Sequence, residues 1–235
     1  MRLAEMTRTD VARLKRKPVV LLPIGSIEQH GPHLPLGSDL IQPMAVLERV
    51  AAETGAIIAP PIPYGVVHAS RPFPGSVCVS FDALRAYTRD VLSELVRNGF
   101  RRVVVVSGHA EGVHLAALRT AAKEVVDRGG ADITVLSDYD LVYGSKFSEK
   151  AEGDGHAGKV ETSRILAERP DLVKGRGPRG RNRIPPYAVV RDARRYWPGV
   201  SGDPSKASRA LGVEVDSLIA RELAAIVRAA ARRRV

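Results

Sequence analysis

Four short apolar runs, rich in β-branched residues, alternate along this chain with stretches whose apolar positions recur at helical spacing. That alternation leaves few folds open. "PVVLLPIG" (18–25), "AIIAPPIPYG" (56–65), "RRVVVVSGH" (101–109) and "ADITVLSD" (131–138) read as buried strands bounded by Gly, Pro or Ser. Residues 41–54, 82–98 and 113–128 read as helices, the second with Ser80 as N-cap and Asp82 in its first turn. Residues 206–232 read as a long amphipathic helix. Strands that are apolar on both faces and joined by helices imply a three-layer α/β/α sandwich around a mostly parallel sheet. With 235 residues, 44% of them apolar, and no internal repeat, one domain over residues 1–235 is expected. The Gly/Pro/Arg-rich stretch 174–186, "KGRGPRGRNRIPP", reads as a loop within it.

Composition removes several classes of function. Cys78 is the single cysteine, which excludes a disulfide framework and a Cys-rich zinc ribbon. Its place between Val77 and Val79, in a strand-like run, suits core packing. No apolar run approaches the ~18 residues of a membrane span. The N-terminus "MRLAEMTRTD" is polar and lacks a signal-peptide pattern, so a cytoplasmic location without a membrane partner is expected. The formal net charge of +10 suits anionic partners. Aromatic residues make up only 5% of the chain, which argues against a stacking platform for nucleic acid. A basic nucleic-acid-binding protein on a hydrolase fold, or a metal-stabilised structural subunit, are the non-enzymatic alternatives.

In open α/β sheets, ligands sit at the carboxyl ends of the strands, and there the ionisable residues gather. "LPIGSIEQHGPHLPLGSD" (22–39) sets Glu28, His30, His33 and Asp39 just after the first strand. His68 follows the second, and His109 and Glu111 close the third. Glu28, His30, Asp39, His109 and Glu111 are ligand types for zinc, manganese or iron(II) rather than calcium or magnesium. Residues i and i+2 of an extended segment point the same way, so each Glu–His pair can reach one centre or two adjacent ones. With Asp39 available to bridge, the five suit a pair of divalent ions. Such a pair would activate water against an amide or related C–N bond. Further on, "GDGHAGKVETS" (153–163) holds His156 in a Gly-rich turn and Glu161 at the start of a helix. A histidine beside such a centre suits a general base that then serves as general acid. His33 and His114 read as structural, and His68 reads equally as a pocket or a loop residue. Neither "GSIEQ" nor "VSGHA" forms a nucleophile elbow.

Together with "FPGSVCVS", "VVVVSGHAEG", "IPPY" and "GVSGDPSKAS", these motifs occur in the order carried by the creatininase (creatinine amidohydrolase) family, which the chain resembles over nearly its whole length. The resemblance implies an α/β sandwich, a binuclear metal centre, hydrolysis of a non-peptide amide and a homohexamer. Carried over by motif, Glu28, Asp39 and His109 would hold one metal, and His30, Asp39 and Glu111 the other. His156 would be the catalytic histidine, and Glu161 of the "ETS" motif a ligand or a partner of one. Tyr187 lies in "IPPY", which the family places near its active site, and with His68 would contact substrate. The expected cofactors are two divalent transition-metal ions per subunit, Zn, Mn or Fe. The chain departs from the pattern in reading "SGHAEG" where many relatives read "NGHGGN". It also lacks the tryptophans that creatininases place before the catalytic histidine: residues 139–155 hold Tyr139, Tyr143 and Phe147 instead. A small polar amide other than creatinine is therefore expected, with a creatininase proper as an alternative. The family also includes a formamide hydrolase acting on a ribosylaminopyrimidine phosphate in archaeal flavin and deazaflavin synthesis, and a peptidase of mycofactocin maturation. The basic loop with Lys174, Arg176, Arg179, Arg181 and Arg183 reads as a solvated surface or subunit contact, with recognition of a phosphorylated substrate as the alternative.

Overall fold

The computed structural model describes residues 1–145 and 153–235. At its centre lies an all-parallel sheet of β1 (Val20–Ile24), β2 (Ile57–Ile58), β3 (Arg102–Ser107) and β4 (Asp132–Ser137), in the order β2-β1-β3-β4. Side chains alternate along each strand, so the sheet feeds two apolar layers. Leu21, Val104 and Val106 enter one; Val20, Leu22, Ile24, Val103 and Val105 enter the other. Helices α1 (Arg8–Arg13), α3 (Phe81–Arg97) and α4 (Gly112–Val126) cover the second layer. The first is covered by α2 (Ser38–Thr54), α5 (Asp138–Tyr143), α6 (Lys159–Glu168) and α7 (Arg209–Arg232). The three-layer α/β/α sandwich expected from the alternation is what the chain forms. Ser80 caps α3 by accepting from the Ala83 N–H. Among the described residues, no helix is long and apolar enough to cross a membrane.

Two expectations are corrected. "AIIAPPIPYG" yields only the two-residue β2, because Pro60, Pro61 and Pro63 remove donors that a ladder needs. The chain rejoins β1 at one bridge, where the Ile62 N–H donates to the Pro23 carbonyl and the Gly25 N–H to that of Ile62. The run Val77–Val79 is not a strand: Val77 makes a single antiparallel bridge to Ile27 and is exposed. Cys78 is half-buried against the layer of α3 and α4.

Two glycines set how closely α2 approaches the strand ends. A Cβ on Gly25 would lie 2.6 Å from the Asp39 carbonyl oxygen, and one on Gly108 only 2.1 Å from it. Pro43 inside α2 has no N–H to offer that same carbonyl. The first turn of α2 thus packs that carbonyl directly onto the ends of β1 and β3. Deeper in the molecule, the guanidinium of Arg164 on α6 donates to Asp216 on α7 at 2.6 Å and to Asp138 at 2.7 Å. All three are wholly buried.

Gly108→Ala should lower the unfolding free energy in urea by about 1–3 kcal/mol, the usual cost of overpacking. An unchanged urea midpoint would show that α2 has slack above the sheet.

Candidate functional site

The carboxyl ends of β1 and β3 lie side by side, in register from Val20–Val103 to Ile24–Ser107. The segments that follow deliver four ionisable residues: Glu28 and His30 after β1, Asp39 in the first turn of α2, and His109 between β3 and α4. Glu161, in the first turn of α6, joins them, and all five are buried.

His109 Nδ1 stands 2.6 Å from Glu28 Oε1 and 3.2 Å from Asp39 Oδ2. His30 Nε2 stands 3.1 Å from Asp39 Oδ1 and 3.6 Å from Glu161 Oε2. Asp39 therefore turns one oxygen toward each imidazole. The second nitrogen of each ring faces a backbone carbonyl, His109 Nε2 that of Val66 at 3.0 Å and His30 Nδ1 that of Glu28 at 3.1 Å. A carbonyl only accepts, so the protons of the neutral rings belong on those nitrogens. The nitrogens aimed at the carboxylates are then left with lone pairs for a metal. Ser26 Oγ donates to Asp39 Oδ2 at 2.6 Å and steadies it.

Burial opposes charge on every one of these groups. At Glu28 and Asp39 the neighbouring imidazoles outweigh it and hold both carboxyls below their ordinary range, Asp39 well below. Burial likewise disfavours imidazolium, yet Asp39, with Glu161 and Glu28 behind it, raises His30 to about 10. Glu28 and Asp39 raise His109 well above its usual value. At Glu161 burial prevails and the carboxyl is pushed up. Three buried carboxylates that draw protons onto two imidazoles form a setting that favours bound cations. The nitrogen and oxygen donors match a divalent transition metal.

Among the described residues, donor atoms lie within 4.8 Å of one another in three groups: Glu28, Asp39 and His109; His30, Asp39 and Glu161; and Glu28, His30 and His156. The first is the trio expected for one ion. In the second, Glu161 rather than Glu111 meets His30 and Asp39. Glu111 instead lies beyond His109, its Oε2 3.5 Å from the ring's Nε2, and accepts the His68 N–H at 2.9 Å. The His68 side chain is exposed, and Tyr187 is fully exposed. His114 is buried with its Nδ1 accepting the Val66 N–H and its Nε2 near Ser107 Oγ, and burial lowers its pKa to about 3. His33 pairs with Thr162 Oγ1 at 2.9 Å.

His156 Nε2 lies 2.7 Å from the Gln29 carbonyl, and its ring centroid 4.4 Å from that of His30. The next residue, Ala157, is buried with φ 53°, a conformation costly for a non-glycine. Its N–H donates to Glu161 Oε2 at 2.6 Å, so the turn that carries His156 also aims Glu161.

Sequence reasoning missed two contributors. Gln29, inside the first motif, donates from Nε2 to the Gly199 carbonyl at 3.0 Å, and the same nitrogen lies 3.1 Å from His156 Nε2. Trp197, remote in sequence, is buried with its ring 5.1 Å from that of His156. No local pattern announces that contact. Tyr139, by contrast, is a core residue whose hydroxyl donates to Gln42 Oε1 at 2.6 Å, and Tyr143 stacks on it. Phe147 lies outside the described residues.

Residues 4–227 match the family model described as Creatininase, creatinine amidohydrolase. A creatinine amidohydrolase of Pseudomonas putida is 32% identical over 220 residues, covering 83% of this chain and 82% of its own. A mycofactocin precursor peptide peptidase of Mycobacterium ulcerans (strain Agy99) is 32% identical over 213 residues, covering 83% of this chain and 78% of its own. Among solved structures, a glutamate-to-glutamine mutant of creatininase, Zn-Zn type, superposes with a TM-score of 0.88 at 28% identity, over 99% of this chain and 98% of that one.

Metal analysis of the purified protein should find about two transition-metal ions per chain. Asp39→Ala should lose most of both, Glu161→Ala one of them, and Glu111→Ala neither. A wild-type content near one that Asp39→Ala leaves unchanged would refute the two-ion arrangement.

Proposed function

The chain belongs to the creatininase (creatinine amidohydrolase) family, and from that premise we propose that its buried cluster is a two-metal centre that hydrolyses a non-peptide C–N bond of a small polar amide. Members of this family are metal-dependent amidohydrolases, and this chain is one of them. The observation that carries the finer reading is Asp39, which offers one carboxylate oxygen to the His109 side and the other to the His30 side. In this reading Glu28, Asp39 and His109 hold one ion, and His30, Asp39 and Glu161 the other, with Glu111 as the alternative ligand. Bound zinc, manganese or iron(II) supplies Lewis acidity, which polarises a carbonyl oxygen and lowers the pKa of water.

The remaining work falls to the chain's own groups. His156 Nε2 lies 2.7 Å from the Gln29 carbonyl and 3.1 Å from the Gln29 side-chain nitrogen; in this reading the nearer carbonyl takes the Nε2 proton, and Nδ1 is the basic nitrogen. That nitrogen takes a proton from the attacking water and returns one to the leaving nitrogen. Trp197 holds the plane of the ring, and Gln29 its tilt. The exposed His68 and Tyr187 contact parts of the substrate remote from the scissile bond. The family likeness over residues 4–227 supports a single catalytic domain, and a homohexameric assembly and a cytoplasmic location complete the proposal.

The substrate is a small amide other than creatinine, since residues 139–155 contain no tryptophan to sandwich a flat ring. A screen of cyclic amides, formamides, short peptides and creatinine tests this. Creatinine is expected to be turned over at least about a hundredfold less efficiently than the best amide, a difference of ~2.7 kcal/mol in transition-state binding. Brisk creatinine hydrolysis would overturn the assignment, and cleavage confined to peptides would move the enzyme to the peptidase side of the family. His156→Ala should retain its metals and lose about 10²–10⁴ in kcat. Loss of metal together with activity would make His156 a ligand, as its grouping with Glu28 and His30 also permits.

A further inference from the structure

Beside this site lies a cavity that the metal cluster does not explain. It measures about 1020 Å³ and is walled by residues from 153–159, 179–183 and 194–206. Seven cationic side chains line it, against two carboxylates. Both carboxylates are already engaged. Asp154 accepts the Lys159 and Val160 N–H groups at 2.6 and 2.7 Å, and Asp203 accepts from the Ser205 N–H and hydroxyl. Among the described residues, Arg181 and Arg183 are in no ion pair, while Arg179 and Arg195 act only at longer range on Asp203 and Asp192. Like charges gathered around one cavity repel, and an anion between them relieves that repulsion.

The wall is built rather than draped. Gly180 and Gly202 exchange backbone hydrogen bonds at 3.0 and 2.9 Å, and the Arg183 N–H donates to the Tyr196 carbonyl at 3.0 Å. The arginine-bearing segment is thereby stitched to residues 196–202. Those residues also clamp the catalytic side. The Ser201 N–H donates to the His156 carbonyl at 2.8 Å, Gly199 receives Gln29, and Trp197 stands against the His156 ring. One segment therefore forms the floor of the cationic cavity and the support of His156.

We propose that this cavity binds an oxyanion, phosphate or carboxylate, carried by the substrate, and that Arg181 and Arg183 select for it. Guanidinium groups bind either oxyanion through paired hydrogen bonds. The assignment of that oxyanion to the substrate rests on the amidohydrolase reading above; the binding site itself does not.

The test is calorimetric titration of the metal-loaded protein, at low ionic strength, with inorganic phosphate and separately with malonate. At least one should bind, and the stronger of the two identifies the oxyanion. The double variant Arg181→Ala, Arg183→Ala should weaken that binding by about tenfold or more, as expected when charged hydrogen bonds are lost. Thermal melting of the variant checks that it is folded, and Asp39→Ala should still bind the anion. Absence of binding by both anions overturns the proposal. So does binding that survives the double variant, which would put the anion on the metal cluster. With an amide substrate in hand, the double variant should raise KM for the oxyanion-bearing form much more than for its uncharged analogue. Equal changes would detach the cavity from substrate recognition. Failure to find any hydrolysed amide would instead count against the amidohydrolase reading and leave the titration result standing.

Discussion

Asp39 is where two physical requirements meet. Its backbone carbonyl, deprived of a helical donor by Pro43, packs onto Gly25 and Gly108 at the ends of the two central strands. Its side chain lies between two buried imidazoles. The close approach exists only because neither strand end carries a Cβ. With α2 seated there, the carboxylate lies in the space between His30 and His109. Much of the geometry of the site follows from that seating.

Carboxylates buried together must be neutralised or moved apart. Here His30 and His109 are oriented by backbone carbonyls so that each directs a lone pair at the acidic centre. Those carbonyls are in turn held by the loops on either side. Val66, whose carbonyl meets His109, donates its N–H to His114, which approaches Ser107 at the end of β3. His114 belongs to this second layer of buried polar groups; burial, with His109 beside it, lowers its pKa to about 3, in keeping with the N–H it accepts from Val66.

A second buried ionic group supports the first. Arg164 lies one turn along α6 from Glu161 and is paired with Asp138 and Asp216 in the interior. Asp138 is wholly buried, and that burial pushes it up to about 6 in spite of the neighbouring guanidinium. Arg164 also stands over the Tyr139 ring, whose hydroxyl reaches Gln42 on α2. Through these contacts α5, α6 and α7 are tied to the helix that carries Asp39. Losing one partner of such a group would leave an uncompensated charge in the core, at a cost of ~3–5 kcal/mol. The positive charge is arranged differently outside, where arginines surround a cavity beside a negative interior.

The sequence by itself determined the layers and most of the cluster. Short continuous apolar runs and helical spacing specify strands and helices locally, and even the brevity of β2 is written in Pro60, Pro61 and Pro63. Glu28, His30, Asp39 and His109 were legible as a group because covalent spacing ties them to strand ends, and strand ends are where a parallel sheet opens. Only the tertiary structure decided between Glu111 and Glu161 as the neighbour of His30. That choice depends on where α6 packs against α7 and on the Ala157 N–H that aims the carboxylate. It also decided that the sole tryptophan, far from His156 in the chain, lies against it, and that Arg164 finds two aspartates on other helices. Periodicity and spacing act within a segment, whereas these partners come from segments whose meeting is set by how helices and loops close over a common core.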